Sequence, residues 1–153
     1  MITLESPALF PPRDAHTDAP RVLVVDDDEH VRKLEAEILK QAGLNVATAA
    51  DGASAWKALL AGDFDMLVTD YRMPGVSGVA LIRQARIAKL DLPVVMVSAS
   101  FAELDTERLS HDPWTRVAAF VHKPFTVAGL TSAVVGALTP QSASTWIQRG
   151  SSA

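Results

Sequence analysis

At 153 residues, with 48% apolar and 21% charged side chains, the chain fits one domain of ordinary size and lies far from the composition of a disordered protein. A net charge of −4 and a pI near 5.5 exclude the broad positive field that non-specific nucleic-acid binding draws on, so no direct nucleic-acid partner is expected. No cysteine is present, which removes disulfides, thiolate nucleophiles and cysteine-based zinc sites and suits a reducing, cytoplasmic location.

Residues 1–20, with Pro7, Pro11, Pro12 and Pro20 among Asp and Thr, make a poor helix and a poor central strand and predict a flexible leader. The leader has neither a basic start nor a sustained apolar run, so it resembles no signal peptide or anchor. The longest apolar stretches, Val22 to Val25 and Pro93 to Val97, are strand-sized and far short of the roughly 20 residues of a spanning helix, so no membrane partner is expected.

From Arg21 the pattern changes. Val22-Leu23-Val24-Val25 is a continuous apolar run closed by Asp26-Asp27-Asp28, the mark of a strand covered on both faces. Val31, Leu34, Ile38 and Ala42 then recur at helical spacing, with Asp28 placed to cap the start and Gly43 to end it. Leu44 to Ala50 reads as a second strand, and Ala53 to Ala61, with Trp56, Leu59 and Leu60, as a short helix. Met66-Leu67-Val68 is a third strand and again closes on an acid, Asp70. Tyr71 to Ser77, with Pro74 and Gly75, is a loop, and Val79, Ile82 and Ala85 define a third helix. Pro93 to Ala99 is a fourth strand; Phe101, Leu104 and Leu109 predict a fourth helix. Val117 to Val121 is a fifth strand, and Val127, Leu130, Val134 and Leu138 form the last helix. Strands alternating with helices imply an α/β, doubly wound, five-stranded parallel sheet with helices on both faces and right-handed crossovers. A single module over 21–139 and a polar tail over 140–153, broken only by Trp146 and Ile147, complete the expected organisation.

In such sheets ligands bind beyond the carboxyl ends of the strands, where the strand order reverses. Asp26 and Asp27 follow the first strand and Asp70 ends the third, so the topology can set them side by side. Clustered carboxylates raise one another's pKa unless a cation neutralises them. Oxygen ligands without Cys or His favour Mg2+, which uses one or two carboxylates and lets phosphate complete its octahedron. On the same edge the fourth strand ends in Ser98, and the fifth runs into Lys123-Pro124. A hydroxyl and an ammonium facing acids and a metal suit phosphoryl transfer, where catalysis is mainly positioning and charge neutralisation.

The motifs VLVVDDD, LVTDYRMPG, VMVSAS and VHKPF, in this order on these strand ends, resemble the receiver domain of two-component response regulators over about Arg21 to Leu138. The resemblance is to the stand-alone, chemotaxis-regulator type and implies a flavodoxin-like strand order 2-1-3-4-5. It further implies that Asp70 is the phosphoacceptor, and that Asp26, Asp27, Asp70 and the backbone carbonyl of Arg72 hold Mg2+ or Mn2+. Ser98 would be the switch hydroxyl, Lys123 the phosphate-binding lysine and Phe120 the switch aromatic. The implied donor is a phosphohistidine on a histidine kinase or a histidine phosphotransfer protein. The implied output is a conformational change at helix four, strand five and helix five, read by an unidentified protein target, with the chain a monomer or a phosphorylation-dependent dimer. The protein would then be a signalling receiver that catalyses its own phosphorylation and dephosphorylation, rather than an enzyme acting on a metabolite.

Three departures from the commonest family pattern stand out. Ser98 takes a position often held by Thr, and Phe120 one more often held by Tyr. SHDPWTRVAA, with Pro113 and Trp114, replaces a shorter turn before strand five. Arg72 and Ser100, two residues beyond Asp70 and Ser98, flank the expected pocket and are placed to control water access. Strand alternation points His122 away from its neighbour Lys123. Asp26-x-Asp28, Ser98 and Lys123 are also similar to haloacid-dehalogenase-type phosphatases, but no acidic pair follows Lys123, no cap domain is evident and Asp70 would have no task. A degenerate receiver acting only as a scaffold is a third reading, against which all the key positions are chemically competent.

Overall fold

The structure, a computed structural model, describes residues 19–138. The expected leader up to residue 18, and the tail with Trp146 and Ile147, lie outside the described residues. The elements alternate strictly: β1 (Arg21–Val25), α1 (Glu29–Gln41), β2 (Asn45–Ala49), α2 (Gly52–Ala61), β3 (Met66–Asp70) and α3 (Gly78–Ile87) come first. β4 (Val94–Ser98), a 3-10 turn (Phe101–Glu103), α4 (Thr106–His111), β5 (Val117–His122) and α5 (Val127–Ala137) follow. The strands form one parallel sheet in the order β2-β1-β3-β4-β5, the order that the sequence resemblance implies.

Every residue of β1, β3 and β4 is buried, which is why these strands read as continuous apolar runs rather than alternating ones. Alternation instead sorts their side chains between two cores. Leu23, Val25, Leu67 and Met96 pack with Leu59, Leu81 and Ile82 on one face. Val22, Val24, Met66, Val68 and Val97 pack with Ile38, Leu39, Leu130 and Val134 on the other. Each fully buried side chain of this size contributes about 1.5–3 kcal/mol, so the two layers fix the register on which the site depends. β5 is an edge strand, and a bulge between its pairings Val94↔Val117 and Val95↔Ala119 adds one residue to it.

Helix starts follow local chemistry. Asp28 Oδ1 accepts from the N–H groups of His30 and Val31, Asp51 from Ser54, Ser77 from Ala80 and Thr126 from Gly129. α1 stops where Gly43 adopts φ 95, and the Leu44 N–H turns back to the Leu39 carbonyl at 3.1 Å.

Two expected elements differ. The fourth helix does not run from Phe101 to Leu109: Leu104 is extended and Asp105 caps a new six-residue helix by accepting from Arg108 N. A strong capping acid inside the apolar spacing thus divides one helix into a 3-10 turn and α4. In α1 the buried stripe is Glu35, Ala36, Ile38 and Leu39, while Leu34 is 51% exposed. The helix is rotated by about one residue from the face the spacing predicts, and the rotation carries an acid inward.

The segment before β5 is held from inside. Arg86, buried on α3, donates to the carbonyls of Thr115 (3.2 and 3.0 Å), Leu90 (3.0 Å) and Leu92 (2.7 Å). Burial lowers its pKa, with Arg116 lowering it further and Asp91 opposing. Thr115 is itself fully buried, and its hydroxyl donates to the Leu109 carbonyl at 2.7 Å. This framework leaves Trp114 on the surface, 54% exposed.

Candidate functional site

At the carboxyl edge of the sheet, β1 and β3 are neighbours and the chain leaves them toward opposite faces, so a crevice opens between their ends. Asp26, Asp27 and Asp70 meet there, with one carboxylate oxygen from each within 4.8 Å of the others. Asp26 is fully buried, Asp70 nearly so and Asp27 exposed. Lys123, from the end of β5, reaches across β4 and places Nζ 2.9 Å from Asp26 Oδ2 and 3.2 Å from Asp70 Oδ1.

The backbone fixes each acid separately. Asp26 Oδ1 accepts from the Asp28 N–H at 2.9 Å, and the Asp26 carbonyl accepts from Arg32 Nη1 at 2.9 Å. Asp70 Oδ1 accepts from the Tyr71 N–H at 3.0 Å, and its carbonyl from Thr69 Oγ1 at 3.0 Å. Helix α3 begins directly against this strand end: a Cβ on Gly78 would lie 2.2 Å from the Asp70 carbonyl oxygen. Only glycine lets the helix approach the acid so closely.

The charges are coupled. Burial raises the Asp70 carboxyl above its ordinary pKa; Lys123 pulls it down and Asp26 pushes it up. For Lys123, burial works downward, but the hydrogen bonds and charges of Asp26 and Asp70 outweigh it and hold the ammonium above its usual value. Beneath the site lies Glu35, 1% exposed, with Oε1 lacking a hydrogen-bond partner. Burial first, then repulsion from Asp26 and Asp70, pushes its carboxyl up to about 8 against the attraction of Lys123.

Three carboxylates face one ammonium, which leaves an excess of negative charge of the size one divalent cation carries. An octahedral Mg2+ with oxygen ligands at about 2.1 Å spans trans oxygens about 4.2 Å apart, close to the spread of these acids. The donor set therefore fits the hard cation that the sequence predicts. An open groove of about 550 Å³ adjoins the cluster, lined by Asp27, Tyr71, Arg72, Met73, Pro74, Ser77 and Val79.

The remaining predicted residues surround this centre. Ser98 is buried at the end of β4, where its Oγ accepts from the Ser100 N–H at 3.1 Å and its carbonyl from the Lys123 N–H at 2.8 Å. Phe120 is half-buried on β5, its ring edge-on to Phe101 with centroids 6.2 Å apart. His122 is exposed and meets the same Phe101 ring at 5.2 Å. Arg72 turns its side chain over the loop after β4, where Nε and Nη2 donate to Glu103 Oε1. Sequence reasoning did not single out Glu35, Gly78, Phe101 or Glu103 as site residues. An acid at an i+4 step from Val31 inside an apolar stripe was the available signal for Glu35; no short-range pattern marks the Arg72–Glu103 pair.

The family model described as the response regulator receiver domain matches residues 22–135, and the chain belongs to that family. It is 38% identical to the chemotaxis protein CheY of Pseudomonas aeruginosa over 109 residues, covering 69% of this chain and 86% of that one. It is 35% identical to chemotaxis protein CheY-3 of Vibrio cholerae over 113 residues, covering 72% and 85%. Among solved structures it is similar to the response regulator TrrA of Thermotoga maritima in complex with Mg(2+)-BeF, with a TM-score of 0.66, 29% identity and coverage of 78% and 99%. The chain is thus a CheY-like receiver domain of two-component phosphorelay signalling, a family in which phosphorylation and Mg2+ binding are general features. Among the described residues no helix is long and apolar enough to cross a membrane.

Proposed function

We propose that the protein accepts a phosphoryl group on Asp70 from a phosphohistidine and passes the signal to a protein partner through a conformational change. The observation that carries this reading is the clustering of Asp26, Asp27 and Asp70 at one sheet edge, with the Lys123 ammonium in contact with Asp26 and Asp70. Asp70 Oδ1 is held by the Tyr71 N–H and by Lys123, so Oδ2 is the attacking oxygen. The Oδ2–P bond forms as the P–N bond to the donor imidazole breaks, and the imidazole keeps the electron pair of that bond.

Asp26, Asp27, Asp70 and the Arg72 backbone carbonyl would hold Mg2+ or Mn2+, which when bound supplies positive charge to offset repulsion between carboxylates and phosphoryl oxygens. Lys123 has a fixed task in either state: it neutralises Asp26 and Asp70 before transfer and is placed to pair with a phosphoryl oxygen after it. Ser98, at the same strand end, can donate its hydroxyl proton to a second such oxygen while its Oγ accepts from the Ser100 N–H. Half-buried Phe120 then shifts with the loop after β4, and the α4–β5–α5 surface changes. A phosphoryl group acts in this way only as far as it binds one conformer better than the other.

A histidine kinase or a phosphotransfer protein is the donor in this reading, and a protein target on the α4–β5–α5 face the reader. The protein's own contribution to dephosphorylation depends on water access beside Arg72 and Ser100. The test is to expose the full chain to a small phosphodonor such as phosphoramidate with Mg2+, trap the acyl phosphate by borohydride reduction and locate it by peptide mass. Label on Asp70, absent from Asp70→Asn, is expected. Label on Asp26 would overturn the reading in favour of a haloacid-dehalogenase-type phosphatase, and no label at all in favour of a scaffold.

A further inference from the structure

The 3-10 turn Phe101–Glu103 is held at two ends by different forces. At one end Glu103 Oε1 accepts from Arg72 Nε and Nη2, which ties the turn to the loop that follows Asp70 at the end of β3. At the other end the Phe101 ring lies edge-on to Phe120 and His122, with centroids 6.2 and 5.2 Å away and ring planes at 80° and 69°. The turn connects to the buried strand end through the Ser100 N–H, which donates to Ser98 Oγ. One three-residue segment thus touches both the mouth of the acidic site and the aromatic residues of β5.

The grip at the mouth is built to be exchanged. Both Arg72 donors converge on a single carboxylate oxygen, and the Arg72 and Glu103 side chains are 70% and 43% exposed. An ion pair so open to water weighs roughly a factor of two to five in an equilibrium. A guanidinium prefers a ligand that offers several oxygens and more than one negative charge, which a phosphoryl group does and a half-used carboxylate does not. Arg72 stands two residues beyond Asp70, on the loop that follows β3, and its long side chain lets the guanidinium turn back toward a group placed on that acid.

We propose that Glu103 is a positioning residue that stands in for the phosphoryl group: it holds the Arg72 guanidinium in the unphosphorylated protein and yields it to the phosphoryl oxygens once Asp70 is modified. The inference rests on Asp70 being the acceptor. With Arg72 withdrawn, the 3-10 turn loses its tie to the loop after β3 and keeps its aromatic contacts. Phe101 then moves relative to Phe120 and His122, so the charge event at the mouth is read as a rearrangement of rings on β5. Glu103 also occupies Arg72 beforehand, so it competes with the phosphoryl group and weakens its retention.

The experiment follows the His122 ring protons by NMR in the full chain, where the edge-on Phe101 ring imposes a ring-current shift, and titrates Mg2+ with beryllofluoride as the phosphoryl mimic. In wild type the mimic is expected to move the His122 signals. Glu103→Gln is expected to move them part of the way with no mimic present and to tighten mimic binding by about two- to fivefold, the weight of the lost competitor. The charge exchange Arg72→Glu with Glu103→Arg is expected to restore the wild-type His122 position without mimic and to weaken mimic binding. Wild-type His122 signals and wild-type mimic affinity in Glu103→Gln would overturn the proposal, as would a charge-exchanged protein that responds to the mimic like wild type. Asp70→Asn separates the two readings. Unimpaired mimic binding there defeats Asp70 as acceptor, whereas the mimic-free shift in Glu103→Gln judges the Arg72–Glu103 grip by itself.

Discussion

Lys123 Nζ lies 3.2 Å from Asp70 Oδ1, although the whole of β4 separates the strands that carry them. The same ammonium holds Asp26, which is fully buried. Lys123→Met is therefore expected to leave buried negative charge uncompensated and to destabilise the protein by about 2–4 kcal/mol at neutral pH. Chemical denaturation should show the deficit shrinking as pH falls, because burial holds the Asp70 carboxyl above its ordinary value and loss of Lys123 removes the charge that pulls it down. Millimolar Mg2+ should restore more stability to the variant than it adds to wild type. A deficit independent of both pH and Mg2+ would mean that lost packing, not charge, is responsible.

Glu35 gives a pH signature. Its carboxyl is pushed from 4.5 up to about 8, so the folded protein binds a proton there that the unfolded chain releases. The stability associated with that proton is present in full below about pH 4.5 and is lost as pH rises through about 8. Relative to wild type, Glu35→Gln should be nearly neutral at pH 5 and more stable by on the order of 3 kcal/mol at pH 8. Denaturant midpoints of the two proteins across this range provide the check, and parallel curves would refute it.

Gly78 places α3 against the acceptor. Because a Cβ would meet the Asp70 carbonyl oxygen at 2.2 Å, Gly78→Ala must push the helix or the strand end aside. A loss of about 2–3 kcal/mol is expected, with slower labelling of Asp70 by a small phosphodonor even where the variant remains folded. Gly136, in the last turn of α5 and with nothing within 4 Å of its added Cβ, is the control: Gly136→Ala should be neutral or slightly stabilising.

Arg86→Met would strip donors from the carbonyls of Leu90, Leu92 and Thr115. Buried acceptors left without partners cost about 1–3 kcal/mol each, and the effect should be local as well as global. Amide hydrogen exchange is expected to accelerate most between Asp112 and Arg116. Uniform acceleration through β1 and β3 would assign Arg86 to general core stability instead.

The fold was legible in the chain because its strongest signals are local. Buried parallel strands such as Val22–Val25 spell continuous apolar runs, acids mark their ends, and Asp28 and Gly43 delimit a helix by chemistry that acts within four residues. The acids of the site were legible for the same reason, each closing a strand whose neighbours the topology determines. What escaped the sequence depends on long-range placement. Whether α1 turns Leu34 or Glu35 inward is decided by the sheet it packs on, since both fit a helical spacing. Asp105 competes as a cap within an apolar series that otherwise reads as one helix. The pairing of Arg72 with Glu103 joins two loops that only the sheet brings together.

The Arg86 anchorage bears on how freely the segment before β5 can vary in sequence. The Thr115 carbonyl is satisfied from within by the Arg86 guanidinium, and the Thr115 hydroxyl is locked to Leu109, so the outward side chains carry little of the burden of shaping that segment. Trp114 can then be exchanged for another residue with small effect on the backbone that presents it. This segment enters β5 at the edge of the sheet opposite the acids, so its surface can change composition without touching the chemistry at their mouth.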